Sequence, residues 1–123
     1  MRLKAKVKCC SREITLGPVE LVVLLLLHKH GSFSSIYDMY RHIIKDRKDR
    51  VLAKSTFYTI VRKLMDEGLI SNGEEIKLTK LGEYVVKEAV VQGAYDEILS
   101  KLEMLAELLR SLAPEEISQL AQQ

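Results

Sequence analysis

The chain has 123 residues, of which 47% are hydrophobic and 29% charged, and a formal net charge of +2. This is the size and balance of one globular domain with a single core, and not of a disordered chain. Its longest apolar run, Val19 to Leu27, is interrupted by Glu20 and falls well short of the roughly 20 residues that cross a bilayer.

No membrane association is expected, and no apolar stretch follows the basic N-terminus closely enough to read as a signal peptide. The two cysteines, Cys9 and Cys10, are adjacent and cannot make a disulfide framework, so a reducing, cytoplasmic setting is expected. The charge is divided unevenly. Residues 1–68 hold 14 Lys and Arg against 7 Asp and Glu, while residues 69–123 hold 5 against 10. A basic half of this kind favours a polyanionic partner, although Lys-rich surfaces also serve solubility.

In chain order, Leu3, Ala5, Val7 and Cys9 alternate with Lys4, Lys6 and Lys8. The period of two suits an edge strand, and the lysines equally suit a free basic arm. Cys9 and Cys10 could join His28 and His30 at a metal or act as a redox pair. Without CxxC or HxxxH spacing, small buried or idle thiols are the favoured reading. A first helix is expected from Pro18, which has no N–H to leave unpaired, to Gly31, which suits a left-handed C-cap. Its segment "VELVVLLLLHKH" is apolar nearly all round and so belongs at the centre of the domain. His28, Lys29 and His30 would favour the negative end of its dipole.

After "GSFSS", with one extended rung at Phe33, Ser34 or Ser35 caps a second helix, "IYDMYRHIIKDR". Ile36, Met39, Tyr40, Ile43 and Ile44 form its inner face, and "KDRKDR" over 45–50 reads as a solvated end or loop. A third helix is expected over 54–67 with Ser55 as its N-cap. Phe57, Ile60, Val61 and Leu64 face inward; Ser55, Thr56, Tyr58, Thr59, Arg62 and Lys63 crowd the other side. Asp66 and Glu67 sit at the far end and should point away from the phosphates of a bound nucleic acid. Asn72-Gly73 between two short apolar segments predicts a tight hairpin turn with positive φ. Thr79 then caps a last helix running from Lys80 toward Ala113.

Helix, helix, helix, hairpin, helix is the order of a winged helix-turn-helix, so the expected fold is mainly α with a small β-hairpin. The parts are a basic extension (1–17), the winged domain (18–84) and a C-terminal dimerisation segment (85–123). In that fold the helix before the hairpin lies in the major groove. Arg62 and Thr59 are then candidates for base edges, because Arg pairs with guanine O6 and N7 and Thr meets thymine. Lys54, Ser55, Tyr58 and Lys63, with Thr56, Ser35 and Tyr37, are candidates for the DNA backbone. Asn72, Gly73 and Lys77 make the wing.

In the last helix Tyr95, Ile98, Leu102, Leu105, Leu109 and Leu112 follow a coiled-coil stripe, broadened by Leu99, Ala106 and Leu108. So small a domain has little surface to cover it, and a homodimer is expected. Gly93 weakens the helix and marks a place to bend, and Pro114 ends it before a short terminal helix, "PEEISQLAQ".

Ser55-Thr56-Phe57-Tyr58, Arg62-Lys63-Leu64, Glu67-Gly68-Leu69-Ile70 and Leu78-Thr79-Lys80-Leu81-Gly82 resemble PadR-like winged-helix transcriptional regulators. Tyr37-Asp38 is similar to the Tyr-acid pair of that family's second helix. The resemblance covers residues 18–84 and implies a homodimeric DNA-binding regulator, often a repressor, with Tyr37 near phosphate. The chain departs from the family in Glu74 and Glu75 on the hairpin and in its longer N-terminal segment.

The expected function is sequence-specific binding of double-stranded DNA by a homodimer, most simply as a repressor. The alternatives are a DNA-organising or plasmid-partition protein that coats DNA, and a winged helix used only for protein–protein contact. No catalytic set, phosphate-cradling Gly loop or metal motif is evident, so neither an enzyme nor a cofactor is expected. Beyond Glu20, nothing polar in the first helix points to a small-molecule effector.

Overall fold

A computed structural model of the chain describes residues 3–45 and 52–113. Beyond Lys45, the 45–50 charge run lies outside these residues, as does the terminal helix expected from Pro114. The described chain is mainly helical with two small antiparallel sheets.

Strands β1 (Ala5–Cys9) and β2 (Arg12–Leu16) form an antiparallel hairpin with Ala5 opposite Leu16 and Cys9 opposite Arg12. Ala5–Cys9 is thus a strand and not part of a free arm, and β2 is an element that the sequence pattern did not suggest. The turn is Cys10-Ser11, with φ of 52° and 66°. A two-residue hairpin turn of this hand needs positive φ at both positions, which costs roughly 1–3 kcal/mol at each non-glycine residue. Ala5, Val7, Cys9, Ile14 and Leu16 are buried, while Lys4, Lys6 and Lys8 are exposed. Gln92 holds the strand by its backbone. Its carbonyl accepts from the Lys8 N–H at 2.9 Å, and its amide donates to the Lys8 carbonyl at 2.7 Å.

Helix α1 (Pro18–His30) begins at the proline and ends on Gly31, whose φ is 101°. Its buried Leu21, Val23, Leu24 and Leu27 pack against the later elements of the chain. Strand β3 (Ser32–Phe33) leads into α2 (Ile36–Ile44), whose Asp38 N–H donates to the Ser35 hydroxyl at 3.1 Å. Helix α3 (Lys54–Asp66) starts from Ala53 with no side-chain cap. Ser55 lies inside the helix, so it is not the N-cap. The segment entering α3 is held by Tyr40, whose hydroxyl donates to the Leu52 carbonyl at 2.9 Å.

Strands β4 (Ile70–Asn72) and β5 (Ile76–Leu78) pair with Asn72 opposite Ile76, and β3 adds to the other edge of β5. Their connection is Gly73-Glu74-Glu75. Neither Asn72 nor Gly73 takes a positive φ, so the expected two-residue Asn-Gly turn is replaced by a three-residue loop. Thr79 caps α4 (Lys80–Val91) by accepting from the Gly82 N–H at 3.0 Å, and it donates to the Gly68 carbonyl at 2.6 Å.

The expected continuous last helix is two helices. Gly93, with φ of 82°, separates α4 from α5 (Ala94–Leu112). A left-handed residue turns the chain out of the helical path and lets a second helix start at a new angle. The break allows Ala94 and Ile98 to fold back onto β1. Buried residues from β1 through the first turns of α5 form one cluster. The described residues of all three expected segments contribute to this cluster, from Ala5 to Ile98. Among the described residues no helix is long and apolar enough to cross a membrane.

Candidate nucleic-acid interface

The candidate face is built by α2 and α3, which pack against each other. Helix α3 buries Phe57, Val61 and Leu64, and the Phe57 ring meets Tyr40 of α2 at 5.4 Å between centroids. Helical spacing then turns Ser55, Thr59 and Arg62 outward, and all three are exposed. Thr56 and Lys54 are exposed as well. Asp66, one turn beyond Arg62 at the far end of α3, is exposed.

Cations and aromatic rings alternate across the junction of the two helices. The Arg41 guanidinium carbon lies 5.8 Å from the centre of the Tyr37 ring, and the Lys54 Nζ lies 4.7 Å from the same ring. Lys54 is also 5.7 Å from the Tyr58 ring, which the Arg62 guanidinium approaches at 5.9 Å. Each exposed contact is worth only roughly 0.5–1 kcal/mol, but together they fix where three long cationic side chains stand. Among the described residues none of the three cations has a carboxylate partner within ion-pair distance. Their charge is therefore directed outward. The α3 N-terminus adds to this field, with no side-chain cap and no acidic residue in the first turn. Unpaired N–H groups at a helix start favour an anion.

Other candidate residues have partners within the chain. Ser35 accepts from the Asp38 N–H with its hydroxyl oxygen and so caps α2, which leaves its proton free to donate. Thr59 donates its proton to the Ser55 carbonyl at 2.9 Å, which leaves its methyl and lone pairs free but no donor. Lys63 is tied to Glu20 at 3.4 Å and to Glu67 at 3.9 Å. Because Glu20 is nearly buried beneath it, Lys63 neutralises an internal charge and joins α1 to α3.

The tip of the β4–β5 hairpin carries exposed Asn72, Gly73, Glu74 and Glu75, an acidic end that repels phosphate. Lys77 is exposed in the middle strand, paired with both Ser32 and Ser71. Arg41 belongs to this candidate face and was missed by sequence reasoning. Its signal is the i, i+4 spacing from Tyr37, which places both on one helical face.

The apolar stripe of α5 divides in two. Ile98 is buried in the chain's own core and Leu102 is half-buried against it, so these two are already engaged. Tyr95 and Leu105 stand at the margin, whereas Leu109 and Leu112 are 65% and 75% exposed. Met104 and Leu108 add to that bare end. His28 pairs with Glu83 at 3.5 Å, and the His30 Nδ1 bonds the Ser32 carbonyl at 3.0 Å. Among the described residues no group of three or more His, Cys, Asp or Glu stands close enough together to hold a metal ion. Comparison of the chain with protein-family models, with curated proteins and with solved structures finds no match.

Proposed function

We propose that this protein binds double-stranded DNA sequence-specifically as a homodimer, most simply as a transcriptional repressor related to PadR-like regulators. In this reading α1, α2, α3 and the β4–β5 hairpin form a winged helix-turn-helix, and α3 lies in the major groove. The observation that carries it is the Arg41–Tyr37–Lys54–Tyr58–Arg62 ladder beside the hydroxyls of Ser55 and Thr59. Cations with no carboxylate partner among the described residues supply the phosphate attraction that dominates affinity. Arg62 and the Thr59 methyl supply groups able to distinguish guanine and thymine edges. The acidic wing tip argues for a mode in which α2 and α3 make the contacts and the wing stays out of the minor groove.

The outer half of α5 supports the homodimer. Leu105, Leu108, Leu109 and Leu112 are apolar, helically spaced and exposed, and burying such a row yields about 25 cal/mol for each Å² removed from water. A protein–protein module is the weaker reading, because the α2–α3 face presents charge and hydroxyls where an apolar anchor would be needed.

The test is a DNA-binding titration at several salt concentrations with Arg41, Lys54 and Arg62 each changed to Gln, singly and together. For every phosphate that a variant no longer neutralises, the slope of log affinity against log salt should fall by about 0.9. Unchanged affinity and slope in the triple variant would remove the α2–α3 face from the interface.

A further inference from the structure

The β1–β2 turn brings two thiols together, one exposed and one buried beneath it. The Cys9 thiol donates to the Cys10 sulfur at 3.3 Å. Both residues line a surface pocket of about 390 Å³ together with Ser11 and Arg12. Cys10 is exposed, Cys9 is buried beneath it, and neither is in a disulfide. The left-handed backbone at Cys10 and Ser11 belongs to the tight turn and keeps the two sulfurs on neighbouring positions of one rigid loop. We propose that Cys9 and Cys10 form a dithiol site for a trivalent thiophilic metalloid of the arsenous class.

Sulfur spacing selects among the elements that favour thiols. With element–sulfur bonds of about 2.3 Å, a linear centre sets its sulfurs about 4.6 Å apart, a tetrahedral one about 3.8 Å and a right-angled one about 3.3 Å. The observed separation suits the last of these. A trivalent arsenic centre has near-right-angled bonds because a lone pair occupies its fourth direction. Zinc would also need two more protein ligands for a closed site, and the surrounding described residues provide no such cluster.

The exchange is balanced and needs no external base. Each thiol proton leaves with one arsenic-bound hydroxyl as water, two As–O bonds break and two As–S bonds form. No electrons are transferred, and the third substituent on arsenic stays in place. Cys10, being exposed, reacts first, and Cys9 then closes the ring within the same loop.

The experiment uses the full, reduced chain without oxygen and phenylarsine oxide as the probe, followed by intact mass and thiol titration. One adduct per chain is expected, with loss of both free thiols. It should withstand an excess of a small monothiol and be stripped by a small dithiol. Cys10→Ser alters only an exposed turn residue, and circular dichroism checks that it folds. That variant should form at most an adduct that the monothiol removes. A wild-type adduct that the monothiol also removes, or equal retention by Cys10→Ser, would overturn the proposal.

Discussion

Arg62 is positioned over Tyr58 and has no carboxylate within ion-pair distance among the described residues, so its five N–H donors are available to a partner. Arg62→Ala should weaken binding to the preferred DNA site by roughly 1–3 kcal/mol, the worth of a bidentate base contact. Random DNA should be affected much less, and equal weakening on both would make Arg62 a phosphate contact. Lys63 should behave differently. Changing it to Gln strands the Glu20 carboxylate, so the variant should lose thermal stability before it loses DNA affinity.

Cys9 offers a pH test of the hairpin. Its thiol is raised from 9.0 to about 11 in the fold, so the folded chain keeps a proton that the unfolded chain gives up in between. The associated stability is complete below pH 9 and is lost as pH rises toward 11. Wild type should therefore lose stability over that interval more steeply than Cys9→Ala, as followed by thermal melts at each pH.

At the scale of elements, Gly82 decides how α4 meets β4. A Cβ there would collide with the Leu69 carbonyl oxygen, a backbone atom that cannot step aside as a side chain can. Gly82→Ala should cost roughly 1–3 kcal/mol or more, and a melting temperature unchanged from wild type would contradict that packing. The helices are legible in the sequence because their signals are local. Pro18 and Gly31 bracket α1, Thr79 caps α4, and the inward residues of α2 and α3 recur at three and four.

The misses are places where long-range packing overrides a local rule. Strand β2 has only Ile14 and Leu16 as inward residues, and its turn uses Cys10-Ser11 where Asn-Gly is the usual mark. Conversely, Asn72-Gly73 is present but unused, because pairing of Asn72 with Ile76 leaves three residues to the loop. Gly93 signals a bend in the sequence and is a full break in the fold, since the core offers Ile98 a place that a straight helix could not reach. The cationic ladder is only half visible in the sequence for the same reason, as the approach of Lys54 to Tyr37 depends on how α2 and α3 dock.

For the whole molecule, one core unites the basic hairpin, the α2–α3 face and the base of α5, and leaves the far end of α5 bare. Charges placed at that end should separate two copies without unfolding either. Leu105→Glu with Leu109→Glu alters exposed positions only, whereas Leu102 contributes to the chain's own packing. The double variant should sediment as a monomer with unchanged helix content and bind DNA weakly at physiological salt; a variant that remains dimeric would place the interface elsewhere.

A two-fold dimer also sets the spacing of its DNA target, because successive major grooves on one side of the duplex recur every ~34–36 Å. Selection of bound sequences from a pool of random double-stranded DNA tests sequence-specific binding by such a dimer most directly. The expected result is enrichment of a two-fold symmetric site with half-sites about one helical turn apart. Retention of DNA with no enriched sequence would instead mean a coating or DNA-organising role, and no retention at low salt would contradict DNA binding altogether.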